Sequence, residues 1–192
     1  MDLEKSRIEA ISERPWLTDT CVADWFYDAT MVFRKPGHVI EDLVDIVSKN
    51  GAMLLNILQR PDGSIDDETA YLLSELADWY SICGEGIYGT RPYNVHGEGE
   101  TIAQTENFKE ERANWSCSDV RYTRKDRNIY AFMMKQSPCN VVILQKLNEI
   151  QVEKVVLLGC GEVEFAQNFG VLNVQLPDRL PTKHVNCLKI KY

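Results

Sequence analysis

The sequence has no run approaching the ~20 consecutive apolar residues of a membrane-spanning helix, so no membrane segment is expected. It is short of metal ligands as well. Its three histidines, His38, His96 and His184, lie far apart, and its six cysteines form no C-x-x-C pair. That spacing excludes the common zinc motifs, and no metal or organic cofactor is implied. Buried free thiols and surface imidazoles are the plain expectation. A basic face is missing too. The formal charge is −8, and the densest basic group (Arg121, Arg124, Lys125, Arg127) alternates with Val120 and Tyr122 as a strand end and turn would. Nucleic acid is therefore not an expected partner. Residues 1–15 are charged and lack an apolar h-region, so no secretory signal is legible and the compartment stays undecided. Asn114-Trp115-Ser116 fits the N-glycosylation sequon, a tripeptide too common to carry an argument.

What is present is the composition of an ordinary folded protein, 44% hydrophobic and 26% charged, without a low-complexity tract. Its 192 residues hold one large domain or two small ones. The period of the apolar residues changes near Gly84-Glu85-Gly86. Before that point, Val39, Ile40, Leu43, Val44, Ile46 and Val47 form a helical face between Pro36-Gly37 and Asn50-Gly51. Residues 52–58 are short, continuously apolar and bounded by turn residues, which predicts a strand buried on both faces, as in a parallel sheet. A second helix is predicted over 66–82. Ser64 or Asp66 can cap it, and acidic residues fill its first turn. Leu72, Leu73, Leu76, Ala77, Trp79 and Tyr80 supply its inward face, and Gly84 fits its stop. After Gly89 the period is two. Residues 120–123 and 129–133 flank a turn and predict a β-hairpin. Short apolar runs at 141–144, 155–158, 163–165, 171–174 and 188–190 then predict an antiparallel sandwich. Residues 94–118 read as a long connection with room for one edge strand. The fold class is thus α/β followed by all-β.

Three segments carry a resemblance. They are Leu43-Val44-Asp45-Ile46-Val47-Ser48-Lys49-Asn50-Gly51-Ala52-Met53-Leu54-Leu55-Asn56-Ile57, Arg60-Pro61-Asp62-Gly63-Ser64-Ile65 and Gly84-Glu85-Gly86-Ile87-Tyr88-Gly89-Thr90-Arg91-Pro92. In this order and spacing they resemble the family-29 glycoside hydrolases, the retaining α-L-fucosidases. The resemblance implies a truncated (β/α)8-like barrel end over residues 1–84 and a C-terminal antiparallel β-sandwich over 85–192. A barrel of this type takes ~250 residues, so most of its strands are absent from this chain. The chain alone is therefore expected to be inactive: a gene fragment, a mis-assigned start, or one part of a split protein. A second chain supplying the missing barrel is one expected partner, because open sheet edges favour pairing. The family is often secreted, periplasmic or lysosomal.

The implied substrate is a fucosylated glycan, hydrolysed with retention. That chemistry uses two carboxyl groups ~5–5.5 Å apart, one as nucleophile and one as acid, then base. The family's nucleophilic aspartate lies on an earlier barrel strand and is absent here. The acid/base is a glutamate shortly before a Trp-containing motif, which Pro15-Trp16 matches. Glu4 is the first candidate and Glu9 the second; the plain alternative is a solvated carboxylate in a charged segment. Trp25 resembles the family's aromatic that stacks on the sugar, although Asp24 and Phe26 depart from the Ser and Gly of that motif. A core tryptophan is the alternative. A competing function is a non-catalytic remnant or accessory β-sandwich that binds carbohydrate, with Tyr122, Tyr130 or Trp115 as its aromatic platform, although the strand positions of Tyr122 and Tyr130 fit a core equally well.

Overall fold

The computed structural model describes residues 2–103 and 113–192, so the middle of the 94–118 connection lies outside the described residues. The first half contains three parallel strands where the sequence pattern suggests one. β1 (Asp2–Glu4), β2 (Trp16–Cys21) and β3 (Gly51–Asn56) pair side by side in that order. The first two escape notice because β1 is three residues long and β2, Trp-Leu-Thr-Asp-Thr-Cys, is polar at alternate positions. Helix α1 (Pro36–Ser48) connects β2 to β3 and buries Val39, Ile40, Leu43 and Val44 against the sheet side. The chain then turns sharply: Asn50 takes φ 70°, and Gly51 must be glycine. A Cβ there would stand 2.6 Å from the Trp16 ring and 2.7 Å from Ile46.

β3 is not buried on both faces. Gly51, Met53 and Leu55 share the helix side with Trp16, Thr18 and Thr20, whereas Leu54 is 57% exposed and Ala52 is open on the other face. The run is continuously apolar, but no layer among the described residues covers its second side. Helix α2 (Asp67–Cys83) follows, and the Asp66 carboxylate accepts from the Thr69 N–H at 2.8 Å as its cap. Leu72, Leu76, Trp79 and Cys83 form its buried stripe, while Ala77 is exposed, so the face is narrower than expected. Gly84 does not end the helix in a left-handed conformation. Its φ is −60°, and the chain tightens into a 3-10 turn over Gly84–Gly86.

The second half is antiparallel. β4 (Arg91–Glu98), β5 (Val120–Lys125), β6 (Asn128–Met133), β7 (Val141–Leu144), β8 (Lys154–Leu157), β9 (Gly161–Glu162), β10 (Phe165–Asn168), β11 (Val171–Gln175) and β12 (Asn186–Lys191) divide into two sheets. The larger runs β4-β5-β6-β12-β8-β9 and the smaller β10-β11-β7. The expected hairpin is β5–β6, closed by Asp126-Arg127 with Asp126 at φ 53°. Of the expected strand at 163–165, Val163 and Glu164 form the crossing between β9 and β10, where the chain changes sheets, and Phe165 begins β10.

Alternation on β6 explains how the layers stack. Ile129, Ala131 and Met133 face the smaller sheet, in a core with Leu144, Leu172 and Val174. Tyr130 and Phe132 point the other way, into a core with Val44, Leu72 and Trp79. The six-stranded sheet is thus covered by helices on one side and by the small sheet on the other. Among the described residues no helix is long and apolar enough to cross a membrane.

Candidate functional site at the strand ends

Parallel strands present their carboxyl ends together, and there an open cavity of about 690 Å³ is lined by Glu4, Asp19, Trp25, Leu54 and Asn56. Glu4 is the last residue of β1 and Asn56 the last of β3. Register puts Glu4 beside Asp19, and Asp19 beside Leu54, so these side chains share one face of the sheet. Trp25 arrives from the β2–α1 loop. Its carbonyl accepts from Asn56 Nδ2 at 3.4 Å, and Lys5 Nζ stands 5.0 Å from its ring centroid. Glu4 and Trp25, some twenty positions apart in sequence, thereby line the same cavity.

The loop carrying Trp25 is closed at its base, where the Arg34 N–H donates to the Val22 carbonyl at 2.8 Å. Arg34 also donates from Nη1 to Thr20 Oγ1 at 3.1 Å and from Nη2 to the Asp42 carboxylate on α1. Arg7 reaches the other Asp42 oxygen at 2.5 Å. One carboxylate on α1 therefore anchors both the segment after β1 and the loop after β2, and these two segments flank the cavity. Asp19 stands apart. Its Oδ1 is buried with no hydrogen-bond partner. The sequence reading missed Asp19 because β2 was not recognised; its signal is the Thr-Asp-Thr alternation opposite a carboxylate-bearing strand.

Glu9 lies elsewhere, exposed at the rim of a smaller cavity of about 270 Å³ with Lys49, His96 and Arg121. That cavity borders a buried charge cluster joining α1 to β5. Asp45 is fully buried; Lys49 Nζ donates to its Oδ2 at 2.8 Å and Arg121 Nε to its Oδ1 at 2.6 Å. Burial pushes the Asp45 carboxyl up, but the two cations overrule it and hold it below the ordinary range. His96, desolvated and facing Lys49 and Arg121, is pushed down to about 4 and stays neutral near pH 7.

The three aromatics proposed from sequence as a sugar platform are not available for one. Tyr122, Tyr130 and Trp115 are 0%, 1% and 4% exposed, because the six-stranded sheet is covered on both sides. Cysteines divide: Cys21, Cys83 and Cys187 are buried, while Cys117, Cys139 and Cys160 are exposed. Among the described residues no three His, Cys, Asp or Glu side chains gather as metal ligands would.

Carboxylates and an indole at the carboxyl ends of parallel strands are the usual equipment of an α/β enzyme. Comparison with known proteins names the class. Residues 1–85 match the family model described as alpha-L-fucosidase, and residues 114–191 match the alpha-L-fucosidase C-terminal domain. The chain belongs to the α-L-fucosidase family. It is 30% identical over 186 residues to the tissue alpha-L-fucosidase of Rattus norvegicus, covering 93% of this chain and 37% of that protein. The Mus musculus enzyme is 29% identical over 187 residues, covering 93% and 38%. The chain thus spans well under half the length of these curated relatives. Among solved structures, an alpha-fucosidase of Thermotoga maritima in complex with fucose superposes with TM-score 0.76 at 21% identity, over 96% of this chain and 41% of that one. Alpha-L-fucosidase isoenzyme 1 from Paenibacillus thiaminolyticus gives 0.78 at 24% identity, over 99% and 44%.

Proposed function

We propose that these residues form the C-terminal part of a retaining α-L-fucosidase acting on terminal fucosyl residues of glycans. Residues 1–84 would close a (β/α)8-like catalytic barrel, and residues 85–192 would form its β-sandwich domain. The observation that carries this reading is the convergence of Glu4 and Trp25 on one cavity at the carboxyl ends of β1, β2 and β3. In the proposal Glu4 protonates the leaving oxygen and later activates water, and Trp25 packs on the apolar face of the sugar. The nucleophile comes from polypeptide outside these residues, on the same chain or a second one, that also covers the open face of β3. These 192 residues alone then lack one of the two carboxyl groups and do not turn over.

The test is hydrolysis of an aryl α-L-fucoside by the 192-residue chain, alone and after the preceding barrel segment is supplied. The expected result is no turnover alone and turnover on completion, reduced about 10²-fold or more by Glu4→Gln. The loss should be smallest for the best leaving groups, which need least protonation. Equal activity of Glu4→Gln on every substrate would transfer the role to another residue, with Glu9→Gln the next variant to measure. Turnover by the chain alone would overturn the proposal's division of the active site.

A further inference from the structure

β1 ends on Glu4, and the residue that follows adopts a backbone conformation uncommon for its type. Lys5 takes φ 46°, in the left-handed region that residues with a Cβ rarely enter. Its N–H donates to the Asp19 carbonyl at 2.9 Å, so the turn begins directly after the ladder with β2. Along β1, Leu3 stands beside Thr18 on the helix side and Glu4 beside Asp19 on the cavity side. An extended continuation would return the Lys5 side chain to the helix side, because successive side chains of a strand alternate. The left-handed turn breaks that alternation. The Lys5 ammonium stands 5.0 Å from the ring centroid of Trp25, which lines the cavity together with Glu4. Strain of this kind persists where the surroundings over-determine it, and it gathers at functional sites.

Trp25 has need of such a contact. It sits in the β2–α1 loop, outside any helix or strand, with Asp24 and Phe26 exposed on either side. Its main chain is held: the N–H donates to Asp24 Oδ1 at 2.7 Å, and the carbonyl accepts from Asn56 Nδ2 at 3.4 Å. Neither bond fixes the indole about its own side-chain torsions. A cation over the ring does, because the ring quadrupole attracts it. An indole has two faces, and a cation on one leaves the other free to pack against a sugar. Lys5 is thus joined to Glu4 by a peptide bond and to Trp25 by its ammonium.

We propose that Lys5 is a positioning residue of the fucosidase reaction. Its ammonium holds one face of the Trp25 indole so that the other is presented to the sugar. The turn after Glu4 keeps that ring and the Glu4 carboxyl group at a fixed spacing. Lys5 acts through Trp25, so its role rests on the stacking proposed above for that indole.

The test is aryl α-L-fucoside hydrolysis by the chain completed with its preceding barrel segment, carrying Lys5→Met, Lys5→Arg, Lys5→Gly or Trp25→Ala. Lys5→Met keeps the length and loses the charge. It should raise KM about threefold and leave kcat within about twofold. Lys5→Arg keeps the cation and should restore KM. Lys5→Gly enters the left-handed turn freely but has no cation, so it should resemble Lys5→Met. With KM raised in Trp25→Ala, a native KM in Lys5→Met or Lys5→Gly, or a loss confined to kcat, would overturn the proposal alone. An unchanged KM in Trp25→Ala would instead remove the stacking role, and the proposal with it. Acrylamide quenching of the 192-residue chain checks the contact without turnover. Trp16, Trp79 and Trp115 are 3%, 1% and 4% exposed, so the quencher reads chiefly Trp25. Lys5→Met should raise the quenching constant about twofold, and Lys5→Arg should not. Equal quenching of the parent chain and both variants would show that the cation does not hold the ring.

Discussion

His96 shows how one residue records its surroundings. Its imidazole is surrounded by the buried cluster of Lys49, Arg121 and Asp45, and it is desolvated first and repelled by two cations second. Its value in the folded chain, about 4, is well below the 6.5 of a free imidazole. A group depressed in this way contributes stability that is fully present above about 6.5 and is lost as pH falls toward about 4. The chain should therefore lose stability across that window, and His96→Gln should flatten the loss. The size is on the order of 1 kcal/mol once solvent screening is discounted. Urea midpoints of both proteins at pH 7 and pH 4.5 check this; parallel curves would mean that His96 is not the titrating group. Glycine matters at Gly51 and Gly86 for a simpler reason. A Cβ at Gly51 meets Trp16 at 2.6 Å, and one at Gly86 meets Phe132 at 2.7 Å. Both glycines belong to segments that carry the family resemblance, so those segments owe part of their pattern to close packing rather than to catalysis.

At the scale of elements, α1 is the joint of the molecule. One face packs on the parallel strands, its Asp42 anchors the segments flanking the strand-end cavity, and its Asp45 ties it to β5 through Arg121. Removing one partner of a buried pair leaves the other charge without compensation, whereas replacing both with apolar groups does not. Arg121→Met should thus cost about 3–5 kcal/mol, and Asp45→Leu combined with Arg121→Met should recover much of it. Lys49 also leans on Asp45, so the triple change that adds Lys49→Met is the fair comparison. A double-mutant cycle by urea unfolding measures the coupling; strictly additive losses would mean that the cluster is not a unit. The junction after α2 works likewise: Glu85 accepts from Tyr130 on β6 at 2.8 Å and from Lys189 on β12, and Thr123 on β5 donates to the Gly86 carbonyl at 2.6 Å.

For the whole molecule, the informative feature is asymmetry of covering. The six-stranded sheet is sealed on both faces, while the parallel sheet is sealed on one and leaves Leu54 57% and Phe26 84% exposed. If the barrel segment proposed above covers that face, Leu54→Glu should leave the chain's own stability within about 0.5 kcal/mol yet abolish completion with that segment. Thermal unfolding of the variant reads the first effect, and co-elution of the barrel segment with it on size exclusion reads the second, because Leu54 also lines the strand-end cavity and hydrolysis would not separate the two. Normal completion of Leu54→Glu would show that the face is not the contact.

Much of this was legible in the residues themselves. Helices α1 and α2, strand β3, the β5–β6 hairpin and most sandwich strands follow from apolar period and turn chemistry, which are local. Glu4 and Trp25 could be nominated because each sits in a short recognisable segment. Asp19 could not, since its importance lies in register: only pairing β1 with β2 sets it beside Glu4 and leaves its oxygen without a donor. Burial escaped local reading too. Tyr122 and Tyr130 could equally be platform or core from their strand positions, and a helix layer and a second sheet close over them and over Trp115. Leu54 looked buried, and no described layer closes over it. Period and turn residues determine which segments become helices and strands, because those preferences act over a few residues. Which face meets a neighbour, which charge finds a partner, and which donor is left free are decided by contacts between distant segments, and so by the tertiary structure alone.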